Sequence, residues 1–317
     1  MKKNINFFQK PKLIFIMGPT CSGKTKLAIN LSKHFPMEII SVDSGLIYRK
    51  MNIGTAKPNI KELSRVPHHL INIKDPSEYY SAGDFRKDAL KKIKIILSLG
   101  KVPVLVGGTM LYFKVLNDGI AVLPPANNEI RNYLLKQSGH FGCKYLYNIL
   151  RLIDPNLSVR IHPNDIQRVI RGIEVFLITG KKISELQHFT IKNFPYEITQ
   201  FSIFFSKKEE LHKRIKTRLN NMIKLGFEEE VRKLLFKKEL KESFPAIRRI
   251  GYYQMWNYIE GKITYQQMIE QILLNTFRLA KHQTTWLKKW KNLHWIENSN
   301  HDLSIKKILS ILDTKNY

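Results

Sequence analysis

Short apolar runs alternate with amphipathic segments through the first third of the chain. The runs at 13–17, 38–44 and 102–106 have strand length and are nearly continuous, so they predict buried strands. Between them, apolar residues recur at helical spacing over 24–33 and 81–99, which predicts two helices. Strands that alternate with helices predict an α/β fold with a doubly wound parallel sheet.

Local signals predict where several helices begin and end. The patterns Ser81-x-x-Asp84 and Ser206-x-x-Glu209 are typical of capping boxes, and the second predicts a helix that runs to Gly226. A helix over 164–179 is followed by Gly180, which is a common residue just after a helix end.

The pattern changes near Leu123-Pro124-Pro125, where helical segments replace the strand signals. We therefore predict a helical insertion domain over 120–198. The apolar run 199–205 then predicts a return to the sheet, and the rest of the chain reads as helical. Of the tryptophans in that last region, we expect Trp256 and Trp286 to be buried.

The charge of the chain is unusual, whereas its apolar content is not. Lys and Arg number 53 against 26 Asp and Glu, which gives a net charge of +27 and a pI near 9.9, while 43% of residues are hydrophobic. Such an excess favours a polyanionic partner such as nucleic acid, although a general bias toward Lys, Asn and Ile is an alternative explanation.

Cysteine usage and hydropathy bear on the compartment. The two cysteines, Cys21 and Cys143, argue against a disulfide framework or a Cys-rich zinc site, as expected in a reducing compartment. No stretch approaches the roughly 18 apolar residues of a membrane span. We expect a cytoplasmic protein with no membrane partner.

The sequence Gly18-x-x-x-x-Gly23-Lys24-Thr25 lies between the first predicted strand and the first helix, which is the context of a phosphate-binding loop. Glycines allow backbone N–H groups to face an anion, Lys24 adds a positive charge, and the Thr25 hydroxyl can hold Mg²⁺. Nucleotides and other diphosphate esters both fit such a loop. The residues predicted to bind the diphosphate are Gly18, Pro19, Thr20, Cys21, Ser22, Gly23, Lys24 and Thr25.

Two further groups follow the second and third predicted strands. Asp43 ends one strand and Gly107-Gly108-Thr109 ends the other, so both are expected at the edge of the sheet where the phosphate loop lies. Asp43 suits either a water-mediated Mg²⁺ ligand or a general base, and the sequence leaves both open. Thr109 offers a hydroxyl beside a ligand.

Basic residues recur at helical spacing and among aromatic residues. Arg168 and Arg171 share one helical face, and Arg214 and Arg218 share another, from which one arginine could reach the phosphate loop as a diphosphate clamp. The segments 248–254 and 276–286 interleave cations with aromatic rings, which suits unstacked RNA. His68 and His69 are adjacent in a polar loop and lack the spacing of a zinc site.

Several motifs occur together in the order found in one family. They are Gly18 to Thr25, Asp43-Ser44-x-Leu46-Ile47-Tyr48-Arg49, Gly54-Thr55-Ala56-Lys57-Pro58, Pro67-His68-His69-Leu70, Ser81-Ala82-x-Asp84-Phe85, Leu105-Val106-Gly107-Gly108-Thr109-x-Leu111-Tyr112, Arg160-Ile161-His162-Pro163-Asn164-Asp165, Gly251-Tyr252-x-Gln254-Met255-Trp256 and Gln283-Thr284-Thr285-Trp286-Leu287. On these motifs the chain resembles the bacterial tRNA dimethylallyltransferases. The resemblance implies transfer of a dimethylallyl group from dimethylallyl diphosphate to N6 of the adenosine 3′ to the tRNA anticodon.

The resemblance also implies roles for individual residues. Asp43, Thr109 and Lys24 would be catalytic, Arg218 would join the loop in binding the diphosphate, and Mg²⁺ would bind at Thr25. The positions implied to contact the tRNA anticodon stem-loop are Asp43, Ser44, Gly45, Leu46, Thr109, Arg131, Gln167, Arg168, Val169, Ile170, Arg171, Arg248, Arg249, Ile250, Gly251, Tyr252 and Tyr253. A monomer is expected.

The chain departs from the family pattern at four positions. Gly45 replaces a larger small residue, and Tyr253, Phe277 and His282 stand where arginines are usual.

The predicted domains are a P-loop core at 1–119, the insertion at 120–198 as a tRNA-contacting domain, and a return to the core with a helical C-terminal region at 199–317.

Three alternatives remain at this point. A P-loop kinase would use ATP to phosphorylate a nucleoside or small metabolite, and a related isopentenyltransferase would act on free adenine nucleotides. The third is an RNA-binding module whose phosphate loop has no catalytic role. The charge of +27 favours a macromolecular acceptor over a free nucleotide.

Overall fold

The computed structural model describes residues 11–187, 194–236 and 240–313. The chain divides into two compact units, one formed by Met1–Leu116 with Pro195–Tyr317 and the other by Asn117–Phe194. The predicted domains also include 1–10, 188–193, 237–239 and 314–317, which lie outside the described residues.

Within the described residues, the first unit is built around a sheet of six parallel strands, in the order β3-β2-β4-β1-β5-β6. The prediction of an α/β fold with a parallel sheet is confirmed. Residues 13–17 of β1 are fully buried, as expected for a central parallel strand covered on both faces. The strands are β1 (Lys12–Met17), β2 (Met37–Val42), β3 (His68–His69), β4 (Val102–Gly107), β5 (Glu197–Phe204) and β6 (Leu293–Glu297).

The register of the strands brings three loops to one edge of the sheet. Met17 of β1 and Val42 of β2 both pair with Gly107 of β4, so these three strands end at the same level. A Cβ at Gly107 would lie 2.0 Å from the Val42 carbonyl oxygen, so only glycine permits this close approach. The segments that follow β1, β2 and β4 therefore lie side by side at this edge of the sheet. They carry the phosphate loop, Asp43 and Thr109, respectively.

Helices connect and cover the strands. Their bounds are α1 (Lys24–Leu31), α2 (Ile60–Leu63), α3 (Ala82–Ser98), α4 (Met110–Asp118), α5 (Asn128–Phe141), α6 (Cys143–Ile153), α7 (Pro155–Ser158), α8 (Ile166–Thr179), α9 (Ile183–Leu186), α10 (Lys208–Lys224), α11 (Phe227–Leu235), α12 (Tyr252–Ile259), α13 (Tyr265–Lys288) and α14 (His301–Asp313). The predicted capping box at Ser81 and Asp84 is present at the start of α3. None of the helices among the described residues has the length and apolar content needed to cross a membrane.

The second unit contains α5 to α9 around its own apolar core. The Asp165 side chain accepts the Arg168 N–H at the start of α8, and Gly180 ends this helix with a left-handed φ of 68°. Helix α6 buries Leu146 and Leu150 in the core.

Several boundaries differ from the sequence prediction by one to a few residues. Strand β5 begins at Glu197, so Glu197 and Ile198 belong to the sheet although they were predicted as part of the insertion. Helix α10 begins at Lys208 after Lys207 as the N-cap, so the predicted capping box at Ser206 and Glu209 is wrong. Helix α1 ends at Leu31, two residues before the predicted end.

The C-terminal region is not purely helical, as the sequence had suggested. Strand β6 pairs with β5 and extends the sheet, and within it only Ile296 is buried. Trp256 is buried as expected, but Trp286 is 40% exposed, contrary to the prediction. His68 and His69 form the short edge strand β3, and His69 contacts Glu38.

Candidate active site

A cavity of about 620 Å³ lies in the first unit, at the edge of the sheet where β1, β2 and β4 end. Its walls include the phosphate loop, the residues that follow β2 and β4, and side chains of α10, α12 and α13. Thr20, Lys24, Asp43, Thr109 and Arg218 all line it. The fold thus brings the predicted catalytic residues and the predicted diphosphate clamp into one space.

The phosphate loop has the tight backbone that its glycines allow. Gly23 has a left-handed φ of 85° directly before α1, and a Cβ there would lie 2.5 Å from Asn298 Nδ2. A Cβ at Gly18 would lie 2.7 Å from the Ile203 carbonyl oxygen in β5. Because α1 begins at Lys24, its unpaired N–H groups and dipole favour an anion at this point.

Lys24 supplies a half-buried cation, and its described hydrogen bond is to a neutral group. Its Nζ donates to the Pro19 carbonyl oxygen at 3.0 Å. Burial lowers the pKa of Lys24 to about 8, the Asp43 carboxylate opposes this shift, and the Arg218 guanidinium adds to it. A bound diphosphate would stabilise the charged form of this amine.

Arg218 reaches the phosphate loop from the middle of α10. One of its nitrogen atoms, Nη1, donates to Thr20 Oγ1 at 3.2 Å, and Nη2 donates to the Thr55 carbonyl oxygen at 3.2 Å. Both oxygen acceptors are uncharged, and Nη1 also donates to Cys21 Sγ at 3.8 Å. The structure therefore places a second cation beside Lys24, where the sequence predicted a clamp.

Asp43 and Thr109 are joined through the backbone and side chain of Ser44. Asp43 Oδ1 accepts the Gly45 N–H at 2.7 Å, and Thr109 Oγ1 accepts the Ser44 N–H at 3.1 Å. The Asp43 side chain remains 36% exposed. Its carboxylate is thus fixed by a local turn and still accessible from the cavity.

Most of the predicted tRNA contacts around the start of α12 line the cavity, and Tyr253 is not among its lining residues. The lining residues are Arg248, Arg249, Ile250, Gly251 and Tyr252, together with Leu46 after β2. Tyr252 is 1% exposed and its hydroxyl donates to Glu230 Oε1 at 2.6 Å, whereas Tyr253 hydrogen-bonds Glu242. The adjacent tyrosines therefore have different partners, and the contribution of Tyr252 is to packing within the first unit.

In the second unit, two of the arginines predicted to contact tRNA bind a buried carboxylate. Arg131 Nε donates to Glu174 Oε1 at 2.9 Å, and Arg171 Nη1 donates to Glu174 Oε2 at 2.6 Å. Burial by itself raises the pKa of Glu174, but hydrogen bonds from both arginines and from the Asn127 N–H outweigh it, so the pKa lies below its usual value. These bonds give Arg131 and Arg171 a structural role whatever else they contact.

The remaining predicted contacts of the second unit differ in exposure. Val169 and Ile170 are buried in its core, so neither residue offers a ligand an appreciable surface. Gln167 and Arg168 are exposed on the same helix. Their role in tRNA binding remains a prediction.

Two residues that the sequence analysis did not single out brace the phosphate loop. Gln283 Oε1 accepts the Thr20 N–H at 2.8 Å, and its Nε2 donates to the Gly108 carbonyl oxygen at 2.8 Å, so one side chain bridges two loops of the cavity. Asn298 Nδ2 donates to the Ser22 carbonyl oxygen at 2.8 Å. Gln283 lies in a motif that carried the family resemblance, whereas nothing local in the sequence marks Asn298.

A third such residue, Glu230, holds the loop that contacts Arg218. Its carboxylate accepts the N–H groups of Asn52 and Ile53 at 2.8 Å and that of Gly54 at 3.1 Å. Three successive N–H groups that face one carboxylate form an anion-binding nest. Glu230 therefore fixes the loop whose Thr55 carbonyl oxygen binds Arg218.

The cavity also offers oxygen ligands for a metal ion. The Thr25 hydroxyl and the Asp43 carboxylate both line it, and hard oxygen ligands are the kind that Mg²⁺ prefers. Within the described part of the chain, no group of three or more His, Cys, Asp and Glu residues could hold a metal. These residues therefore fit an ion that takes most of its ligands from a bound diphosphate and water.

Comparison with known proteins gives a consistent result over nearly the whole chain. A model of the IPP transferase family matches residues 46–290. The full-length tRNA isopentenylpyrophosphate transferase of Bacillus halodurans is 34% identical, with 96% of this chain and 97% of that chain covered and a TM-score of 0.72.

Two further solved structures are similar. For the tRNA delta(2)-isopentenylpyrophosphate transferase of Staphylococcus epidermidis the identity is 34%, the coverage 97% of this chain and 100% of that chain, and the TM-score 0.70. For a eukaryotic dimethylallyltransferase acting on tRNA the identity is 27%, the coverage 90% of this chain and 74% of that chain, and the TM-score 0.76.

Proposed function

The chain belongs to the IPP transferase family, a family of prenyltransferases, and on that premise we propose that it transfers a dimethylallyl group from dimethylallyl diphosphate to tRNA. The acceptor is N6 of the adenosine 3′ to the anticodon. One observation carries the proposal: a phosphate cradle and an accessible carboxylate line the same cavity. The first suits the leaving group and the second suits the nucleophile.

The reaction begins with capture of the donor diphosphate. Backbone N–H groups at the start of α1, the Lys24 ammonium and the Arg218 guanidinium face the space beside the phosphate loop. Their positive charge stabilises the negative charge that develops as the bond between C1 of the dimethylallyl group and the diphosphate oxygen breaks. Mg²⁺, held at Thr25 and near Asp43, would add Lewis-acid stabilisation of the same leaving group.

The acceptor amine is a weak nucleophile because its lone pair is delocalised into the adenine ring. Asp43 acts as the general base: its carboxylate takes one N6 proton as the bond between N6 and C1 forms. Thr109, which is coupled to Asp43 through Ser44, lies beside the same reacting group. The adenosine must leave its base stack to enter the cavity, as in other enzymes that modify a base.

The partners follow from the same proposal. The tRNA anticodon stem-loop meets the positions at the start of α12 and the exposed residues of α8, and the net charge of +27 supports binding to RNA phosphates. We further propose that the protein acts as a monomer in the cytoplasm, where its two free cysteines, Cys21 and Cys143, stay reduced. The comparisons favour this activity over an ATP-dependent kinase.

The test is transfer from labelled dimethylallyl diphosphate to an anticodon stem-loop hairpin, with nucleoside analysis of the product. We expect turnover without ATP and none from ATP alone. Asp43→Ala should lower kcat by about 100- to 10,000-fold, the usual range for a general base, while hairpin binding persists.

Asp302→Asn on α14 is the matched control and should keep full activity, because this exposed carboxylate lies at a helix start outside the cavity. Near-normal turnover by Asp43→Ala would overturn the base assignment. Absence of prenylated adenosine with the unmutated protein would overturn the proposed function itself.

A further inference from the structure

Gly45 and Arg249 are in unusually close contact beside Asp43. A Cβ at Gly45 would lie 2.7 Å from Arg249 Nε and Nη2 and 2.8 Å from Cζ. Gly45 is not among the residues with a left-handed φ, so its backbone conformation does not require glycine. The missing side chain instead makes room for the guanidinium plane against the backbone.

Arg249 is also bonded to the residues that hold Asp43 and Thr109 together. Its Nη1 donates to Ser44 Oγ at 3.1 Å, and its Nη2 lies 3.7 Å from Asp43 Oδ1. Ser44 Oγ is in turn 3.5 Å from Thr109 Oγ1. The guanidinium therefore lies at the acceptor end of the cavity, and the side chain remains 28% exposed.

A guanidinium carries five N–H donors and no acceptor, whereas an ionised carboxylate only accepts. Arg249 and Asp43 thus present donors and acceptors next to each other on the cavity wall. We propose that Arg249 determines base specificity by donating a hydrogen bond to the adenine ring nitrogen next to the N6 amino group while Asp43 accepts from that amino group. This inference rests on the proposed function and assigns a role that the transfer reaction alone does not require.

The pairing discriminates between purines by polarity. Adenine presents an N6 donor flanked by N1 on one edge and N7 on the other, both of which are acceptors. Guanine has the acceptor O6 in place of the amino group, so its O6 would face the carboxylate of Asp43. A site that is built to bond a specific group rejects the base that lacks it, because its own polar atoms would be left without partners.

The test removes the ring nitrogen and the arginine separately and together. Hairpins carrying adenosine, 1-deazaadenosine or 7-deazaadenosine at the acceptor position are assayed with the unmutated protein, Arg249→Ala, Arg249→Lys and Gly45→Ala. With the unmutated protein, one of the two deaza hairpins should lose about 10- to 100-fold in kcat/KM, the range of a specific base contact, and the other should lose little. Which analogue loses activity identifies the edge that is read.

The analogue that impairs the unmutated protein should lower kcat/KM of Arg249→Ala hardly at all relative to the adenosine hairpin, because that variant already lacks the donor. Arg249→Lys should keep part of the preference for the adenosine hairpin over that deaza hairpin. Gly45→Ala should lose this preference although the arginine is still present, since the new Cβ displaces the guanidinium. Arg232→Ala, an exposed arginine of α11 that pairs with Glu228, is the matched control and should behave as the unmutated protein.

The inference would be overturned if a deaza hairpin lowered kcat/KM by the same factor in the unmutated protein and in Arg249→Ala. It would also be overturned if the unmutated protein were insensitive to both analogues. The second outcome requires no variant, so a failure of Arg249→Ala to fold leaves the inference falsifiable. Transfer to the adenosine hairpin is measured in the same series. If the unmutated protein did not transfer the group to this hairpin, the proposed function would be overturned. If it did transfer the group, but the effect of the deaza analogue did not depend on Arg249, only the role of Arg249 would be overturned.

Discussion

Two pairs of cations, one in each unit of the molecule, have opposite surroundings. In the second unit, Arg131 and Arg171 share Glu174, whose side chain is 0% exposed, and their charges are compensated inside the protein. In the first unit, Lys24 and Arg218 hydrogen-bond to carbonyl and hydroxyl oxygens, and the pKa of Lys24 is lowered by burial and, to a smaller extent, by the like charge of Arg218. The first pair stabilises a fold, and the second pair is suited to an anion.

The difference teaches how to separate structural from functional cations in a strongly basic chain. Charge density does not distinguish them, because arginines at helical spacing occur in both units. The partner does: a buried carboxylate neutralises the cation, whereas neutral acceptors orient it and leave its charge for a ligand. We expect this distinction to appear as loss of stability in one unit and loss of catalysis in the other.

The largest expected effect is on the stability of the second unit. Glu174→Ala removes the carboxylate that compensates Arg131 and Arg171, and breaking such a buried ion pair costs about 3–5 kcal/mol. Urea denaturation of the full chain measures the change in the free energy of unfolding. Glu185→Ala, at an exposed carboxylate of the same unit, should change it by less than about 0.5 kcal/mol. Similar values for the two variants would show that the buried network contributes no special stability.

The next effect is on catalysis in the first unit. Arg218→Ala removes a donor from the leaving-group site and should lower kcat/KM for the donor by about 100- to 1000-fold. The unfolding free energy should change little, because both acceptors of Arg218 are neutral and lie beside the cavity.

Arg214→Ala is the matched control, since this arginine lies one turn away on α10, pairs with Glu210 and packs on the Phe205 ring. It should keep nearly full activity. If Arg214→Ala lost as much activity as Arg218→Ala, the contact with the phosphate loop would not be what matters.

The smallest effect concerns the protonation of Lys24. Because burial lowers the pKa of this amine to about 8, its positive charge is present below that pH and is lost above it. We expect kcat/KM for dimethylallyl diphosphate to fall above about pH 8, by at most about tenfold per pH unit, since this parameter reports the free enzyme. At saturating donor the fall in kcat should be weaker, because the bound diphosphate stabilises the ammonium. A flat profile for kcat/KM up to about pH 10 would contradict a role for the Lys24 charge.

The central strands and the residues at their ends could be predicted from sequence because their signals are local. The continuous apolar runs of β1, β2 and β4 predicted parallel strands, and the rule that such strands end at one edge placed Asp43 and Thr109 near the phosphate loop. The edge strand β6 was missed because only Ile296 of its five residues is buried, so it lacks the apolar run that marked the central strands.

The supports of the site could not be predicted because they depend on distant contacts. Gln283, Asn298 and Glu230 are ordinary polar residues in sequence, and only the folded chain brings their side chains to loops more than a hundred residues away. The ion pair between Arg171 and Glu174 could have been predicted, since the two residues are at helical spacing in α8. The ion pair between Glu174 and Arg131 could not, because it joins two helices.

The bracing of the phosphate loop also has a consequence for biosynthesis. The loop leaves the ribosome well before Gln283 and Asn298, the residues that hold it, because they lie 263 and 276 positions downstream of their partners. A nascent chain therefore carries the complete phosphate-binding motif long before it carries the supports of that motif. We therefore expect the phosphate loop to reach its folded conformation only after the segment that carries Gln283 and Asn298 has emerged from the ribosome.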